Sequence, residues 1–116
     1  MTHFVPRVAT GNGMLSIQFA DSDIARSTNV DCVLDLTYLG DVVGVEILDL
    51  RRQLSGGRVE ALSAGGQIQW SYDDEIDAFY VQILEDRAQV QRSATGKAHL
   101  DSGNRVVRLE VPVPST

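Results

Sequence analysis

Length, composition and charge limit the kinds of protein that this sequence can encode. It has 116 residues, of which 43% are hydrophobic and 22% are charged, the balance of one globular domain or of two half-domains that share a core. Its formal net charge of −6 opposes binding to nucleic acid or to an anionic membrane surface and favours a basic protein partner. No apolar stretch approaches the ~20 residues that span a bilayer. The sequence therefore predicts no nucleic-acid partner and no membrane partner.

Two features indicate the cellular compartment. Residues 1–7 contain no basic stretch followed by an apolar core, so they do not resemble a secretory signal. The single cysteine, Cys32, stands in an apolar run, which is typical of a small buried residue in a reducing compartment. The sequence therefore predicts a cytoplasmic protein.

Apolar and polar residues alternate in the first half of the chain, as they do in half-buried strands. Residues 10–13, Thr-Gly-Asn-Gly, predict a hairpin turn. Leu50 and Leu54 at helical spacing, with Asp49 before them as a cap, predict one short helix that Ser-Gly-Gly at 55–57 ends. The predicted strands of this half are 15–19, 24–26, 32–36 and 43–47.

The second half of the chain repeats this pattern. Arg-Ser recurs at 26 and 92, Leu-Asp recurs at 34 and 100, and a Val-Val-x-x-Glu segment ends at 46 and at 110. The first two pairs are 66 residues apart and the last is 64 apart, which predicts a shorter turn before the last strand of the second copy. The predicted strands of this half are 79–84, 88–92, 98–101 and 107–111.

The predicted fold class is mainly β. Each copy is predicted to form an antiparallel four-stranded meander with one apolar face, and the two copies can either pack these faces into one core or join edges into a continuous sheet. We therefore expect two meanders related by a pseudo-twofold axis, with one short connecting helix. The first copy with its helix and linker spans 1–64, the second spans 65–116, and both share one core as a single globular unit. A monomer with this internal symmetry and a homodimer both remain open.

Two segments resemble a known family. Residues 72–80, Tyr-Asp-Asp-Glu-Ile-Asp-Ala-Phe-Tyr, and residues 42–49, Val-Val-Gly-Val-Glu-Ile-Leu-Asp, are similar to the opening and the ending of domain-of-unknown-function family 2283. The two ends stand in different copies, and the second copy has Arg108 and Pro112 where the family has Gly and a continuing strand. The resemblance implies a small bacterial β-rich protein, a partner of toxin-like neighbours in some members, and it supplies no catalytic residue.

Carboxylates are the main candidates for a site. The densest group lies at residues 73–77, but its spacing is not that of a calcium-binding helix-loop-helix loop, so it indicates a solvated turn. Other acids occupy strand positions opposite the apolar face, where arginines are expected to pair with them across strands. The candidate surface site consists of Asp73, Asp77, Asp35, Glu46, Asp101, Glu110, Arg26 and Arg92.

Other kinds of chemistry have little support in the sequence. His3 and His99 lack the spacing of a metal-binding pair. Ser27 and Ser93 stand in no Gly-x-Ser-x-Gly elbow and have no evident histidine partner, and no glycine-rich phosphate loop is present in the sequence. The sequence therefore predicts no metal and no cofactor, and it leaves any catalytic residue unknown.

These observations favour a non-enzymatic binding or protein-interaction module whose acidic outer face or exposed sheet edge engages a basic protein, as an antitoxin does. The alternative is a small-molecule or metal-binding enzyme that uses Asp73, Asp77, Glu46 and Glu110 in a cleft between the copies. The arrangement of the carboxylates distinguishes the two hypotheses, because an enzyme needs them to converge in one concave pocket.

Overall fold

The structure, a computed structural model, describes residues 4–59 and 68–113. These residues form a mainly β fold with one short helix, which confirms the predicted fold class. The predicted boundary between 64 and 65 lies outside the described residues. In chain order the elements are β1 (Arg7–Gly11), β2 (Met14–Gln18), β3 (Arg26–Leu36), β4 (Val42–Ile47), α1 (Leu50–Gln53), β5 (Gln69–Asp73), β6 (Ala78–Gln82), β7 (Val90–Leu100) and β8 (Val106–Pro112).

All eight strands belong to one antiparallel sheet, in the order β1-β2-β8-β7-β3-β4-β6-β5. The order stays the same when it is read backwards and the two copies are exchanged, so that β1 replaces β5 and β3 replaces β7. A twofold relation between the copies requires such an order. The predicted pseudo-twofold axis itself stays a prediction.

Each copy differs from a simple meander between its second and third strands. β2 pairs with β8 and β3 pairs with β7, so two strands of the other copy lie between them. The predicted meander is wrong at this point because β3 and β7 are eleven residues long and pair along their whole length. The sequence predicted two short strands in place of each, since polar residues such as those at 27–29 interrupt the alternation. It also missed β1, an edge strand with one half-buried apolar residue, Val8.

Three of the four pairs of corresponding strands share one offset. β2 and β6, β3 and β7, and β4 and β8 each begin 64 residues apart. The β3–β4 and β7–β8 turns both contain five residues, and both hairpins have a register shift at the same place, 35/36 and 99/100. The predicted shortening of the second turn is therefore wrong. The counterpart of Arg26 is Val90, two residues before Arg92.

One hydrophobic core joins the copies. It contains Leu34 and Val45 from the first copy and Val81 and Leu109 from the second, all at most 1% exposed. Burial of each such side chain contributes about 1.5–3 kcal/mol relative to its exposure. Phe19 and Phe79 meet edge to face with ring centroids 5.9 Å apart. Phe19 directly follows β2 of the first copy, and Phe79 lies in β6 of the second.

The predicted turns around these elements are present. Asn12 and Gly13 connect β1 to β2 with φ of 54° and 73°, the two positive values of a tight hairpin turn. The helix ends before Ser55 and Gly56, whose φ values of 51° and 86° stop it as expected.

Helix α1 covers part of an open edge of β3. β4 pairs only with residues 33–36 of β3, and the side chain of Gln53 fills the adjoining position. Its Nε2 donates to the carbonyl of Asp31 at 3.1 Å, and its Oε1 accepts from the amide of Asp31 at 2.6 Å. A primary amide carries both the donor and the acceptor of a peptide group. Gln53 therefore replaces one residue of a neighbouring strand.

Gly96 permits a close approach of β8 to β7. A Cβ at this buried position would lie 2.5 Å from the carbonyl oxygen of Glu110. This oxygen belongs to the backbone of β8, so it cannot move away without disturbing the β7–β8 ladder. We expect Gly96→Ala to lower the free energy of unfolding by about 1–3 kcal/mol, measured by urea denaturation. In Gly11→Ala the new Cβ meets no atom within 4 Å, so this control should stay within about 0.5 kcal/mol of wild type. Equal stability of the two variants would contradict the close approach.

Candidate functional site

The acidic segment at residues 73–77 forms the β5–β6 turn. Asp73 ends β5, and its Oδ1 accepts the amide of Glu75 at 3.0 Å. Asp77 closes the turn with a φ of 55°, a left-handed conformation that Asp and Asn adopt more readily than most residues. Glu75 is exposed. The carboxylates of Asp73 and Asp77 therefore serve different local contacts rather than one shared site.

Asp77 caps α1 from the other copy. The amide of Arg51 donates to its two carboxylate oxygens at 3.2 and 3.0 Å, and Nε of Arg51 lies 3.4 Å from Oδ1. The hydroxyl of Tyr72 donates to the same Oδ1 at 2.6 Å. Asp49 occupies the N-cap position, but its side chain makes no capping bond. The amides at a helix start need acceptors, and Asp77 supplies the one that the sequence assigned to Asp49.

The environment of Asp77 favours its charged form. Burial opposes ionisation, but the hydrogen bonds from the Tyr72 hydroxyl and from Arg51 outweigh it, so the pKa of the Asp77 carboxyl lies below its usual value. Burial and the contact with Asp77 raise the pKa of Tyr72. The guanidinium carbon of Arg51 also lies 5.9 Å from the centroid of the Tyr72 ring. This cluster links the helix of the first copy to a hairpin of the second.

Asp35 and Glu46 lie on the outer face of the sheet, as predicted, beside Tyr80. The Tyr80 hydroxyl donates to Asp35 Oδ2 at 3.1 Å, and Gln91 Nε2 donates to Oδ1 at 3.0 Å. Burial, the hydrogen bond to Asp35 and the nearby charge of Glu46 raise the pKa of Tyr80 to about 12. The ring crosses over Gly44, where a Cβ would lie 2.2 Å from the hydroxyl. This patch therefore holds a protonated tyrosine against two carboxylates.

Asp101 belongs to the β7–β8 turn rather than to the outer sheet face, so its predicted placement is wrong. Its carboxylate accepts the amides of Gly103 and Arg105, both at 3.0 Å, and the Ser22 hydroxyl at 2.9 Å. Burial opposes ionisation, but these bonds outweigh it and lower the pKa of Asp101. The misplacement follows from the offset of 66, because at the observed offset the counterpart of Asp101 is Thr37.

Arg26 and Arg92 do not pair with the predicted carboxylates. Both lie on the face of their strands that packs into the core at later positions of the same strand, whereas Asp35 and Glu110 lie on the outward face. Arg26 Nη2 donates to the carbonyl of Leu54 at 2.7 Å. Among the described residues, neither arginine belongs to any of the ion pairs. The predicted cross-strand pairs are wrong because alternation puts the partners on opposite faces.

Glu110 lies on the outer face and contacts a histidine that the sequence did not connect to it. His99 Nε2 is hydrogen-bonded to Glu110 Oε1, and His99 Nδ1 lies 2.6 Å from Ser27 Oγ. Ser27 and His99 are 72 residues apart in the chain, and they meet because they are direct partners in the β3–β7 ladder. Only the register of that ladder could have revealed the pair.

The four acids of the enzyme hypothesis do not share one cleft. Asp73 and Asp77 belong to the β5–β6 hairpin, Glu46 lies on β4 and Glu110 lies on β8. In the sheet β4 and β8 are separated by β3 and β7, which places them about 14 Å apart at the usual spacing of strands. Within 4–59 and 68–113, no three His, Cys, Asp or Glu side chains come together in a group that could hold a metal ion.

A cavity of about 710 Å³ lies between α1 and the outer face of the β3–β7 pair. We call it the helix groove. Its acidic residues are Asp31 and Asp49, and Leu48, which is 48% exposed, contributes an apolar side chain. The groove is lined by residues 31–33, 48–49, 52–53 and 93–95.

Comparisons with known proteins leave the family open. No protein-family model, no curated protein and no solved structure was found to match this chain. The resemblance to family 2283 therefore stays a prediction. No helix in the described part of the chain is long and apolar enough to cross a membrane.

The lowered pKa of Asp77 predicts a pH-dependent stability. The folded state binds this proton more weakly than the unfolded chain, whose Asp pKa is ~3.9, so the stabilisation is present above that pH and is lost as the pH falls. In Asp77→Asn, which tolerates the positive φ, the free energy of unfolding should fall less than in wild type between about pH 6 and about pH 2. Urea denaturation at a series of pH values measures this.

The control for this prediction is Asp74→Asn, in the same turn. The side chain of Asp74 makes none of the hydrogen bonds to α1, whereas its carbonyl oxygen, which the substitution keeps, accepts from Arg51 at 3.3 Å. The control should therefore retain the pH dependence of wild type. The same pH dependence in Asp77→Asn and in wild type would show that the cap does not depend on charge.

Proposed function

We propose that this protein is an interaction module that binds a basic segment of another protein in the helix groove. The observation that carries this proposal is the lining of the helix groove, which combines the carboxylates of Asp31 and Asp49 with the exposed apolar side chain of Leu48. A segment with Lys or Arg beside an apolar residue complements this lining. The net charge of −6 adds a long-range attraction for such a partner.

Both groove carboxylates have capacity for a partner. Asp31 Oδ1 accepts the Thr95 hydroxyl at 3.2 Å, and its Oδ2 makes no hydrogen bond with a described residue. Asp49 Oδ2 binds Arg52 at 2.7 Å, but both side chains are more than half exposed, and exposed ion pairs contribute little. An incoming guanidinium or ammonium group can therefore bind Asp31 directly and compete with Arg52 for Asp49.

The outer face of the first copy extends this acidic surface. Asp35 lies four residues beyond Asp31 on the same side of β3, and Glu46 lies on the neighbouring strand. The corresponding positions of the second copy, at the offset of 64, carry Thr95 for Asp31 and His99 for Asp35. Glu46 has an acidic counterpart in Glu110, whereas the carboxylates at positions 31 and 35 belong to the first copy alone. We therefore expect the partner to bind the side of the sheet that carries Asp31 and Asp35.

The distribution of the other acids supports binding rather than carboxylate catalysis. Asp77 caps a helix, Asp101 closes a turn, and Glu46 and Glu110 lie on separate strands. Paired-acid chemistry needs two carboxylates on either side of one substrate. An antitoxin-like role, with a basic toxin as the partner, is the specific form of this proposal that the family resemblance favours, and a cytoplasmic location goes with it.

Affinity capture with matched variants tests the proposed function. The tagged protein serves as bait in a lysate of its native host, beside the variant Asp31→Asn/Asp49→Asn and the control Asp21→Asn/Glu85→Gln. The control changes the charge equally at two exposed turn residues outside the groove. We expect wild type and control to recover a basic protein, and the groove variant to bind the purified partner at least about tenfold more weakly, a difference of 1.4 kcal/mol.

Calorimetric titration at low and high salt completes the test. The affinity should fall as the salt concentration rises, because the contacts are exposed charge pairs. A partner that binds the groove variant and the wild type equally would refute the groove as the binding site. The absence of any basic partner from the capture would refute the proposed function.

A further inference from the structure

Three side chains form a continuous hydrogen-bonded series on the outer face of the sheet. Ser27 on β3 lies opposite His99 on β7, and Glu110 on β8 lies diagonally across from His99. Ser27 Oγ is 2.6 Å from Nδ1 of the imidazole, and Nε2 is hydrogen-bonded to Glu110 Oε1. Hydroxyl, imidazole and carboxylate in this order are the groups of a serine nucleophile with its base and its orienting acid.

The partners determine where the proton of a neutral His99 lies. A carboxylate can only accept a hydrogen bond, so the contact with Glu110 requires the proton on Nε2. Nδ1 then carries the lone pair, and the Ser27 hydroxyl donates to it. This is the arrangement in which an imidazole can remove the hydroxyl proton as the oxygen attacks. Glu110 acts through His99 and is a positioning residue.

Accessibility differs along the series in the direction that catalysis needs. Ser27 is exposed, whereas the side chain of His99 is 13% exposed and that of Glu110 is 34% exposed. The nucleophile therefore meets solutes, while the base and its carboxylate are held by the sheet. Fixed geometry of this kind is the main requirement for activation of a weak nucleophile.

An amide donor is available beside the nucleophile. Gln53 binds the amide and carbonyl of Asp31 on the side away from β7, and alternate residues of a strand point their amides the same way. The amide of Ser27 therefore also points away from β7, where β4 does not reach. It has no acceptor among the described residues. In chymotrypsin-type serine proteases the amide of the nucleophile forms part of the oxyanion hole.

A second cavity adjoins the series. It has a volume of about 340 Å³, and its lining includes Glu110, Asn29 and Lys97. Asn29 and Lys97 are cross-strand partners, two residues from Ser27 and His99 on the same face, a distance of about 7 Å along the strands. The cavity has room for a short acyl chain, and Glu110 connects it to the series.

We propose that Ser27 is an activated nucleophile that takes acyl groups from short-chain carboxylic esters, an activity beyond the binding function. Ser27 Oγ bonds to the carbonyl carbon while its proton passes to His99 Nδ1. The carbon–oxygen bond to the alcohol breaks, and the departing oxygen takes the proton from Nδ1. Water then attacks the acyl-serine in the same way, so that a carboxylic acid leaves and Ser27 is restored. No group is oxidised or reduced.

Labelling with a fluorophosphonate, located by mass spectrometry, tests the nucleophile. Ser71 is the internal control, because it is an exposed strand serine whose cross-strand partner is Tyr80. We expect Ser27 to be modified at least about tenfold faster than Ser71, and His99→Gln to slow this by about 100-fold, the usual contribution of a general base. The rate of p-nitrophenyl butyrate hydrolysis by Ser27→Ala should fall to that of the double variant Ser27→Ala/Ser71→Ala. Ser71→Ala alone should retain the wild-type rate.

The role of Glu110 has its own measurement. Glu110→Gln keeps an oxygen that can accept from Nε2 but removes the negative charge that stabilises the imidazolium, so the labelling of Ser27 should slow, whereas Glu110→Asp should restore the rate. Circular dichroism and the urea midpoint establish that each variant is folded. Labelling of Ser27 no faster than that of Ser71, or at an unchanged rate in folded His99→Gln, would overturn the proposal.

Discussion

The pairing of β3 with β7 is the constraint on which the rest of the structure depends. Eleven residues of each strand are in register, from the pair Arg26 and Leu100 to the pair Leu36 and Val90, and this ladder joins the two copies at the centre of the sheet. It brings the apolar faces of both copies into one core, since β4 and β8 extend from its two sides. It also sets Ser27 opposite His99 and leaves the edge of β3 that Gln53 covers.

Much of the fold could be predicted from the sequence because period-two alternation shows which residues face a core. It correctly placed Asp35, Glu46 and Glu110 on the outer face, and the glycine-containing turns and the short helix are also present. Alternation could not show the register between the copies. Residues two apart in a strand share a face, so an alignment that is displaced by two, as at Arg26 and Arg92, keeps every apolar position in phase. Identical residues then suggested a shortened turn that does not exist.

The site was less predictable because its contacts join distant parts of the chain. Asp77 caps a helix from a hairpin that begins after the linker, and no local pattern connects it with Arg51. Ser27 and His99 are adjacent only through the central ladder. The groove carboxylate Asp31 stands in a polar stretch that carried no strand signal of its own. Local sequence patterns identify turns and faces, whereas these contacts depend on which strands become neighbours.

The interleaved order of the strands bears on how such a protein arises. In each copy the two hairpins are not neighbours, and the sheet is continuous only because strands of the other copy lie between them. A chain with one copy would hold two separate hairpins, which are marginal in water by themselves. It could build this sheet only by joining a second identical chain about a twofold axis. The strand order of this protein is thus the one that a symmetric dimer of single copies would have, with both copies in one polypeptide and different residues on their outer faces.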